Sequence, residues 1–240
     1  MFSYEEYKSV AKAFASRATL YNVDMPRSFA LIRHDVEFSV ERARKIALID
    51  RSFGVRSTFF FQVRSAAYNP FSIPDAGKII EISRMGCEIG LHFYVSHIKE
   101  NDWPHLEEEL DSQSKLFESG LGMKCRVFSF HRPPRWVLEN RDDEIGGVIN
   151  AYGESFFEFS ESPTEIKYIA DSKHKWSYGY PLDFAARKKV QILLHPDEWS
   201  ESGDSGNKEF FNDLREERAR SFVEILKNET NHFSEAESSE

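Results

Sequence analysis

Residues 29–37 read Phe-Ala-Leu-Ile-Arg-His-Asp-Val-Glu, an apolar run that ends in ionisable side chains. Strands buried on both faces of a parallel sheet have near-continuous apolar runs of this kind. We therefore expect a buried strand here, with Asp35 and Glu37 at its end. Because residues two apart in an extended strand share a face, these carboxylates would point the same way if the strand continues.

Strand-like and helix-like patterns alternate along the rest of the chain. Aromatic, β-branched and apolar runs predict further strands at 57–63, 87–92, 126–130, 147–150, 166–170 and 191–194. Apolar residues at helical spacing predict helices at 4–16, 40–49, 79–85, 106–117 and about 208–227. In the last helix, the residues expected to face inward are Phe210, Phe211, Leu214, Phe222 and Leu226.

This alternation predicts an α/β fold in which helices cover a parallel sheet. About seven strands favour a closed or nearly closed barrel over an open sheet, although the pattern is compatible with both. In either architecture the ligand site lies at the carboxyl ends of the strands. The length of 240 residues fits one domain, expected to span 1–233, with an acidic disordered tail at 234–240.

Charge and hydropathy restrict the partners and the compartment. The net charge of −9 argues against nucleic acid, because binding to a phosphate backbone requires a concentrated basic face. No apolar stretch approaches the roughly 20 residues of a membrane span. The first residues contain neither a basic segment nor an apolar one of the kind found in signal peptides, so a cytoplasmic location is expected.

Histidines concentrate at the predicted strand ends. Four of the eight histidines in the chain directly end or follow a predicted strand: His34, His92, His131 and His195. Asp35 and Asp171 also follow strands. Titratable groups gathered at one edge of a sheet are typical of an active site.

Three segments resemble, in order and spacing, the polysaccharide deacetylase family, also called carbohydrate esterase family four or the NodB-like fold. They are Arg33-His-Asp-Val-Glu37, Gly54-Val-Arg-Ser-Thr-Phe-Phe-Phe61 and Gly86-Cys-Glu-Ile-Gly-Leu-His92. The first is similar to the His-Asp-Val-Asp opening of one branch of the family. Three later motifs are also similar: Arg132-Pro-Pro134, Asp171-Ser172 with Trp176, and Leu194-His195-Pro196. The resemblance covers about residues 28–200.

The resemblance implies a distorted (β/α) barrel of about seven strands and a divalent metal ion, usually zinc. It places Asp35 as the catalytic base, His195 as the catalytic acid and Arg132 as the residue that orients the base. The implied metal ligands are Glu37, His92 and His97, with His131 as an alternative third ligand. The implied sugar contacts are Trp176, Asp171 and Pro133.

The chain departs from the family pattern at two metal positions. Glu37 stands where the family has an aspartate, and its longer side chain would either displace the metal or abolish its binding. The second family histidine follows the first by four residues, but residue 96 is a serine and His97 comes one position later. A spacing of five suits neither a strand face nor a helix face, so a ligand role for His97 requires a turn after His92.

The favoured function is metal-dependent removal of an N-acetyl or other acyl group from a sugar or a precursor of a cell-surface polysaccharide. The first alternative is a catalytically degenerate member that binds sugar or acts in polysaccharide assembly. The second is a different barrel metallohydrolase, such as a phosphoesterase. We find no glycine-rich or basic phosphate-binding loop that would favour the second alternative.

Overall fold

The computed structural model describes residues 1–158, 166–203, 207–230 and 232–233. Within these residues the strands are β1 (Ala18–Thr19), β2 (Phe29–Val36), β3 (Thr58–Phe61), β4 (Glu88–Tyr94), β5 (Val127–His131), β6 (Glu144–Ile145), β7 (Val148–Asn150), β8 (Lys167–Ala170) and β9 (Lys189–Leu194). The α-helices are α1 (Tyr4–Phe14), α2 (Val40–Phe53), α3 (Ile73–Arg84), α4 (Trp103–Leu121), α5 (Arg135–Glu139) and α6 (Asn207–Glu229). Short 3-10 helices occur at Ala15–Arg17, Pro181–Phe184 and Pro196–Glu198.

The strands form one sheet with the order β6-β7-β5-β4-β3-β2-β9-β8, and β1 also pairs with β2. The β6–β7 pair is antiparallel, whereas β2, β3, β4, β5, β7, β8 and β9 pair in parallel. These seven strands, each longer than two residues, match the expected number. The sheet is curled into a half-barrel, and within the described residues its end strands β6 and β8 are not paired with each other. The predicted single-domain α/β fold is confirmed.

Strand β2 lies in the middle of the sheet, between β3 and β9, and all eight of its residues are buried. It continues beyond the apolar run because its polar side chains have buried partners. The Nε2 atom of His34 lies 3.2 Å from Asp50 Oδ2, and Asp35 is paired with Arg33 of the same strand. The extension carries Asp35 within the strand and leaves Glu37 just past its end.

A short link joins β2 to α2. The hydroxyl of Ser39 accepts a hydrogen bond from the backbone N–H of Arg42, which is the usual way for a serine to cap a helix amino terminus. At the other end, Gly54 adopts the left-handed conformation with φ of 68°, which glycine reaches without the steric cost that a Cβ adds. Residues 37–39 therefore lie between two well-defined elements.

Helix α6 differs from its predicted packing. Phe211 and Phe222 are 61% and 58% exposed, so the inward orientation predicted for them is wrong. Phe210 does pack, with its ring centroid 5.0 Å from that of His174. A helix on the protein surface buries only one stripe of side chains, and adjacent residues such as Phe210 and Phe211 are about 100° apart around the axis.

Two further expectations concern the whole chain. No helix in the described part is both long and apolar enough to cross a membrane. The acidic segment 234–240 lies outside the described residues.

Candidate metal and catalytic site

The candidate residues lie in or just after β8, β9, β2, β4 and β5, towards the carboxyl ends of these strands, and β3 lies between β2 and β4. The register pairs His34 of β2 with Leu194 of β9, so the residues that follow, Asp35 and His195, are also neighbours. This edge is where a parallel α/β sheet is expected to bind its ligand.

Three potential metal ligands converge at this edge: Glu37 after β2, His92 in β4 and His131 at the end of β5. The Nδ1 atom of His131 lies 3.0 Å from Glu37 Oε1 and 3.0 Å from His92 Nε2. The remaining separation, from His92 Nε2 to Glu37 Oε1, is 3.7 Å. Both imidazoles are buried, and the Glu37 side chain is 22% exposed.

These residues fit a zinc ion in both donor type and spacing. A carboxylate and two imidazoles are the ligand set of one class of catalytic zinc site. In a tetrahedral site with bonds of about 2.0–2.1 Å, ligand atoms lie about 3.3–3.4 Å apart, close to the separations seen here. Burial raises the pKa of Glu37, but the adjacent imidazoles of His131 and His92 outweigh burial and bring that pKa well below its usual range. Glu37 is therefore a carboxylate, the form that binds metal.

Ser129 of β5 joins the histidine cluster to Asp35. Its hydroxyl donates to Asp35 Oδ1 at 3.3 Å, and its oxygen lies 2.8 Å from His92 Nδ1. Because the Ser129 hydroxyl uses its proton to donate to Asp35, the Ser129 oxygen can accept a hydrogen bond from His92 Nδ1–H. This leaves a lone pair on His92 Nε2, which faces Glu37. Such outer contacts fix the tautomer and the ring orientation of metal-binding histidines.

Asp35 forms a two-point ion pair with Arg33. The guanidinium donates from Nε to Oδ1 at 2.9 Å and from Nη2 to Oδ2 at 2.7 Å, and both side chains are almost fully buried. Burial raises the pKa of Asp35, but the positive charge of Arg33 and its hydrogen bonds to the carboxylate more than compensate and lower that pKa below its ordinary value. Asp35 is therefore an anion at neutral pH.

His195 is held by Asp171, which follows β8. The Nδ1 atom of His195 lies 2.6 Å from Asp171 Oδ1, and the backbone N–H of His195 donates to the same carboxylate. The indole N–H of Trp199 donates to Asp171 Oδ2 at 2.9 Å. Burial lowers the pKa of His195, but the negative charge of Asp171 dominates and raises that pKa to about 10. His195 is thus an imidazolium at neutral pH and can donate a proton from Nε2.

His97 lies apart from the three converging ligands. Its Nε2 atom is 3.5 Å from Glu109 Oε2, and the Glu109 carboxylate also accepts from Arg64 Nη2 at 2.8 Å. Among the described residues, His97 is not part of the cluster formed by Glu37, His92 and His131. The three-ligand cluster instead contains His131, the alternative third ligand.

The other predicted residues lie in different surroundings. Arg132 is exposed, with a φ of 47°, and the guanidinium paired with Asp35 is that of Arg33. Pro133 directly follows it and is half-buried. The ring of Trp176 stacks on that of Phe2 at a centroid distance of 5.7 Å.

Sequence reasoning missed the contacts of Arg33, Ser129 and Trp199. Arg33 precedes Asp35 by two residues, so their shared strand face was a usable signal. Trp199 lies four residues after His195, and nothing in that spacing indicates a bond to Asp171. Ser129 lies opposite His92 only because β4 and β5 pair in this register.

Among known proteins, the chain is similar to several solved structures. No protein-family model and no curated protein sequence matches the chain. A mutant, with restored activity, of a CE4 family pseudoenzyme from Bacillus anthracis is 16% identical with a TM-score of 0.47, over 81% of this chain and 64% of its own. The chain thus spans less than two thirds of that protein.

Two other similar structures cover more of their own length. A Streptococcus mutans CE4 esterase is 14% identical with a TM-score of 0.43, over 97% of this chain and 90% of its own. The chitin deacetylase of the fungus Colletotrichum lindemuthianum is 13% identical with a TM-score of 0.42, over 79% and 81%. CE4 denotes carbohydrate esterase family four, which the sequence motifs resemble. Identities this low do not transfer residue roles from these proteins to the present chain.

Proposed function

We propose that the protein is a metal-dependent hydrolase that removes an acyl group from the nitrogen of an N-acylated sugar. The observation that carries this proposal is the convergence of Glu37, His92 and His131, linked through Ser129 to the ionised Asp35. A metal-ligand set beside a carboxylate is one arrangement that can hydrolyse an unreactive amide.

Glu37, His92 and His131 would hold the metal, for which zinc is the best match to the ligands. The chemistry supplied by bound zinc is polarisation of the acyl carbonyl and a lowering of the pKa of water towards ~7. Asp35 is already ionised, so one of its oxygens can accept the proton that water loses as it adds to the carbonyl carbon. Arg33 holds the carboxylate in one orientation while this proton is transferred.

His195 supplies the second proton. Cleavage of the carbon–nitrogen bond requires protonation of the nitrogen, because an amide anion is a very poor leaving group. The imidazolium of His195 can donate from Nε2, and Asp171 stabilises the positive charge on the ring. The products are a free amino sugar and a carboxylic acid, so the oxygen of one water molecule ends in the acid.

The first test is the zinc content of the purified protein after reconstitution, measured by elemental mass spectrometry. We expect about one zinc ion per chain, lost in His92→Ala, His131→Ala and Glu37→Ala. His97→Ala is the matched control, because His97 is also an imidazole near β4 but pairs with Glu109. It should retain the metal.

The second test is release of acetate from N-acetylated glucosamine oligosaccharides by the zinc-loaded protein, with a phosphate monoester as the competing substrate. Acetate release that requires both Asp35 and His195 would support the proposal. Zinc binding without turnover of any N-acylated sugar would reduce the protein to a sugar-binding or assembly role. Absence of zinc after reconstitution would rule out the metal-dependent mechanism.

A further inference from the structure

A second carboxylate, outside the cluster of metal ligands, organises the link that carries Glu37. Asp197 lies in the 3-10 helix Pro196–Glu198, two residues after His195, and is 2% exposed. Its Oδ2 accepts from the backbone N–H groups of Glu37 and Phe38, both at 3.0 Å, and its Oδ1 accepts from that of Ser39 at 2.6 Å. Three consecutive amides therefore converge on one buried side chain.

We propose that Asp197 is a positioning residue that places the Glu37 carboxylate within reach of the metal. This inference rests on the proposed metal-dependent function. The Glu37 side chain is longer than that of aspartate and 22% exposed, so its own packing constrains it only in part. A fixed backbone at residues 37–39 limits where Oε1 can lie and so lowers the entropy lost on binding metal.

Helix α2 in turn holds Asp197 in place through Arg42. Arg42 of α2 donates from Nη1 to the backbone oxygen of Asp197 at 2.7 Å, and its Nε donates to Glu217 Oε2 at 2.8 Å. The 3-10 helix is therefore held by α2 while its carboxylate holds the residues that precede α2. His195 directly precedes the same 3-10 helix, so one segment both carries the proposed proton donor and binds the backbone of Glu37.

The contact made by Asp197 differs from ordinary helix capping, which Ser39 provides for α2. The side chain of Ser39 already caps α2 by accepting from the N–H of Arg42. The three amides that Asp197 binds belong to residues 37–39, which precede the first helical residue Val40. The carboxylate therefore stabilises the link before the helix and acts on the backbone of the ligand residue itself.

The test compares Asp197→Asn and Asp197→Ala with wild type and with Glu198→Gln. Glu198 lies in the same turn but pairs with His174, so it controls for general disturbance of the 3-10 helix. Metal-stripped proteins would be titrated with zinc against a chromophoric chelator, and the cobalt(II) absorption spectrum would report ligand geometry. Hydrogen exchange of a peptide covering residues 36–42 would be measured without metal.

We expect Asp197→Asn to weaken zinc binding about 10-fold and Asp197→Ala up to about 100-fold, the range for residues that support metal ligands. Amides 37–39 should exchange faster in both variants, and the cobalt spectrum should change, whereas Glu198→Gln should resemble wild type. The nearly isosteric asparagine keeps one acceptor oxygen, so the Asp197→Asn variant still tests the effect on zinc binding if the alanine variant does not fold.

Unchanged zinc affinity and cobalt spectrum in the folded asparagine variant would overturn the positioning role and leave the proposed function intact. An equal loss in Glu198→Gln would also overturn it, because the effect would then belong to the turn as a whole. If wild type itself binds no zinc, the proposed function fails first and the inference fails with it.

Discussion

Replacing Arg33 with methionine should destabilise the protein because it leaves Asp35 as a buried, unpaired anion. The guanidinium is fully buried, makes two hydrogen bonds to the carboxylate and donates a third to the hydroxyl of Tyr152 at 2.9 Å. Its carbon also lies 4.4 Å from the centroid of the Tyr152 ring and 5.5 Å from that of Phe60. Methionine retains most of the apolar contact but none of the charge.

The expected loss of unfolding free energy is about 3–5 kcal/mol, the range for removing one partner of a buried ion pair. Exposed pairs are worth much less, about 0–1 kcal/mol. Arg135→Met is therefore the matched control, since Arg135 pairs with Glu139 at 2.8 Å but is 92% exposed. The double variant Arg33→Met with Asp35→Asn should cost less than the sum of the single changes, because no unpaired buried charge remains.

The difference between wild type and Arg33→Met should narrow as the pH falls. In wild type the pKa of Asp35 lies below its ordinary value, so Asp35 adds stability above the unfolded pKa of about 3.9 and loses it below. In the variant, burial still raises the pKa of Asp35, and the charge of Arg33 that lowered this pKa is absent. Protonation then removes the unpaired charge, and the variant recovers.

Urea unfolding followed by circular dichroism, at neutral pH and near the unfolded pKa of about 3.9, measures both effects. A loss below about 1 kcal/mol at neutral pH would refute the buried ion pair, since an exposed pair would behave that way. A loss that does not depend on pH would refute the assignment of the effect to the charge of Asp35.

Three further predictions concern the contacts around the two histidines. Asp171→Asn should lower the pKa of His195, which NMR titration of the ring measures. Because the wild-type pKa is raised to about 10, the difference in unfolding free energy between wild type and variant should be largest below the unfolded pKa of about 6.5 and should fade as the pH rises towards 10. Trp199→Phe should cost about 1–3 kcal/mol in urea unfolding, because Asp171 loses the 2.9 Å indole donor inside the core. Ser129→Ala should weaken zinc binding about 10- to 100-fold in a chelator competition, because His92 Nδ1 loses its 2.8 Å partner.

Each of these has a result that contradicts it. A His195 pKa that stays near 10 in Asp171→Asn would show that another group raises it. A loss near zero in Trp199→Phe would mean that the indole bond adds no stability. Ser129→Thr keeps the hydroxyl and is the control for Ser129→Ala, so equal zinc affinities in the two variants would exclude a role for that hydroxyl.

The sequence by itself determined the fold class and the edge of the sheet where the site lies. Alternating strand and helix patterns favour a parallel sheet, and parallel strands have their carboxyl ends at one edge. Asp35, His92 and His195 could therefore be predicted as neighbours, because each ends or follows a predicted strand. These predictions depend on local periodicity and on a topological rule, and both can be read from one chain.

Which side chain contacts which was decided by the tertiary structure. Whether His97 or His131 lies beside Glu37 and His92 depends on the path of the turn after β4 and on the pairing of β4 with β5. The partner of Asp35 in the structure is Arg33, from the same strand, and the motif containing Arg132 gave no indication of it.

The link from Asp197 to residues 37–39 crosses about 160 residues of sequence. Its acceptor is a side chain and its donors are backbone amides, which every residue except proline carries. Sequence patterns identify strands because burial repeats with a fixed period. They do not identify this kind of contact, because a single hydrogen bond between distant segments has no period and exists only once the chain is folded.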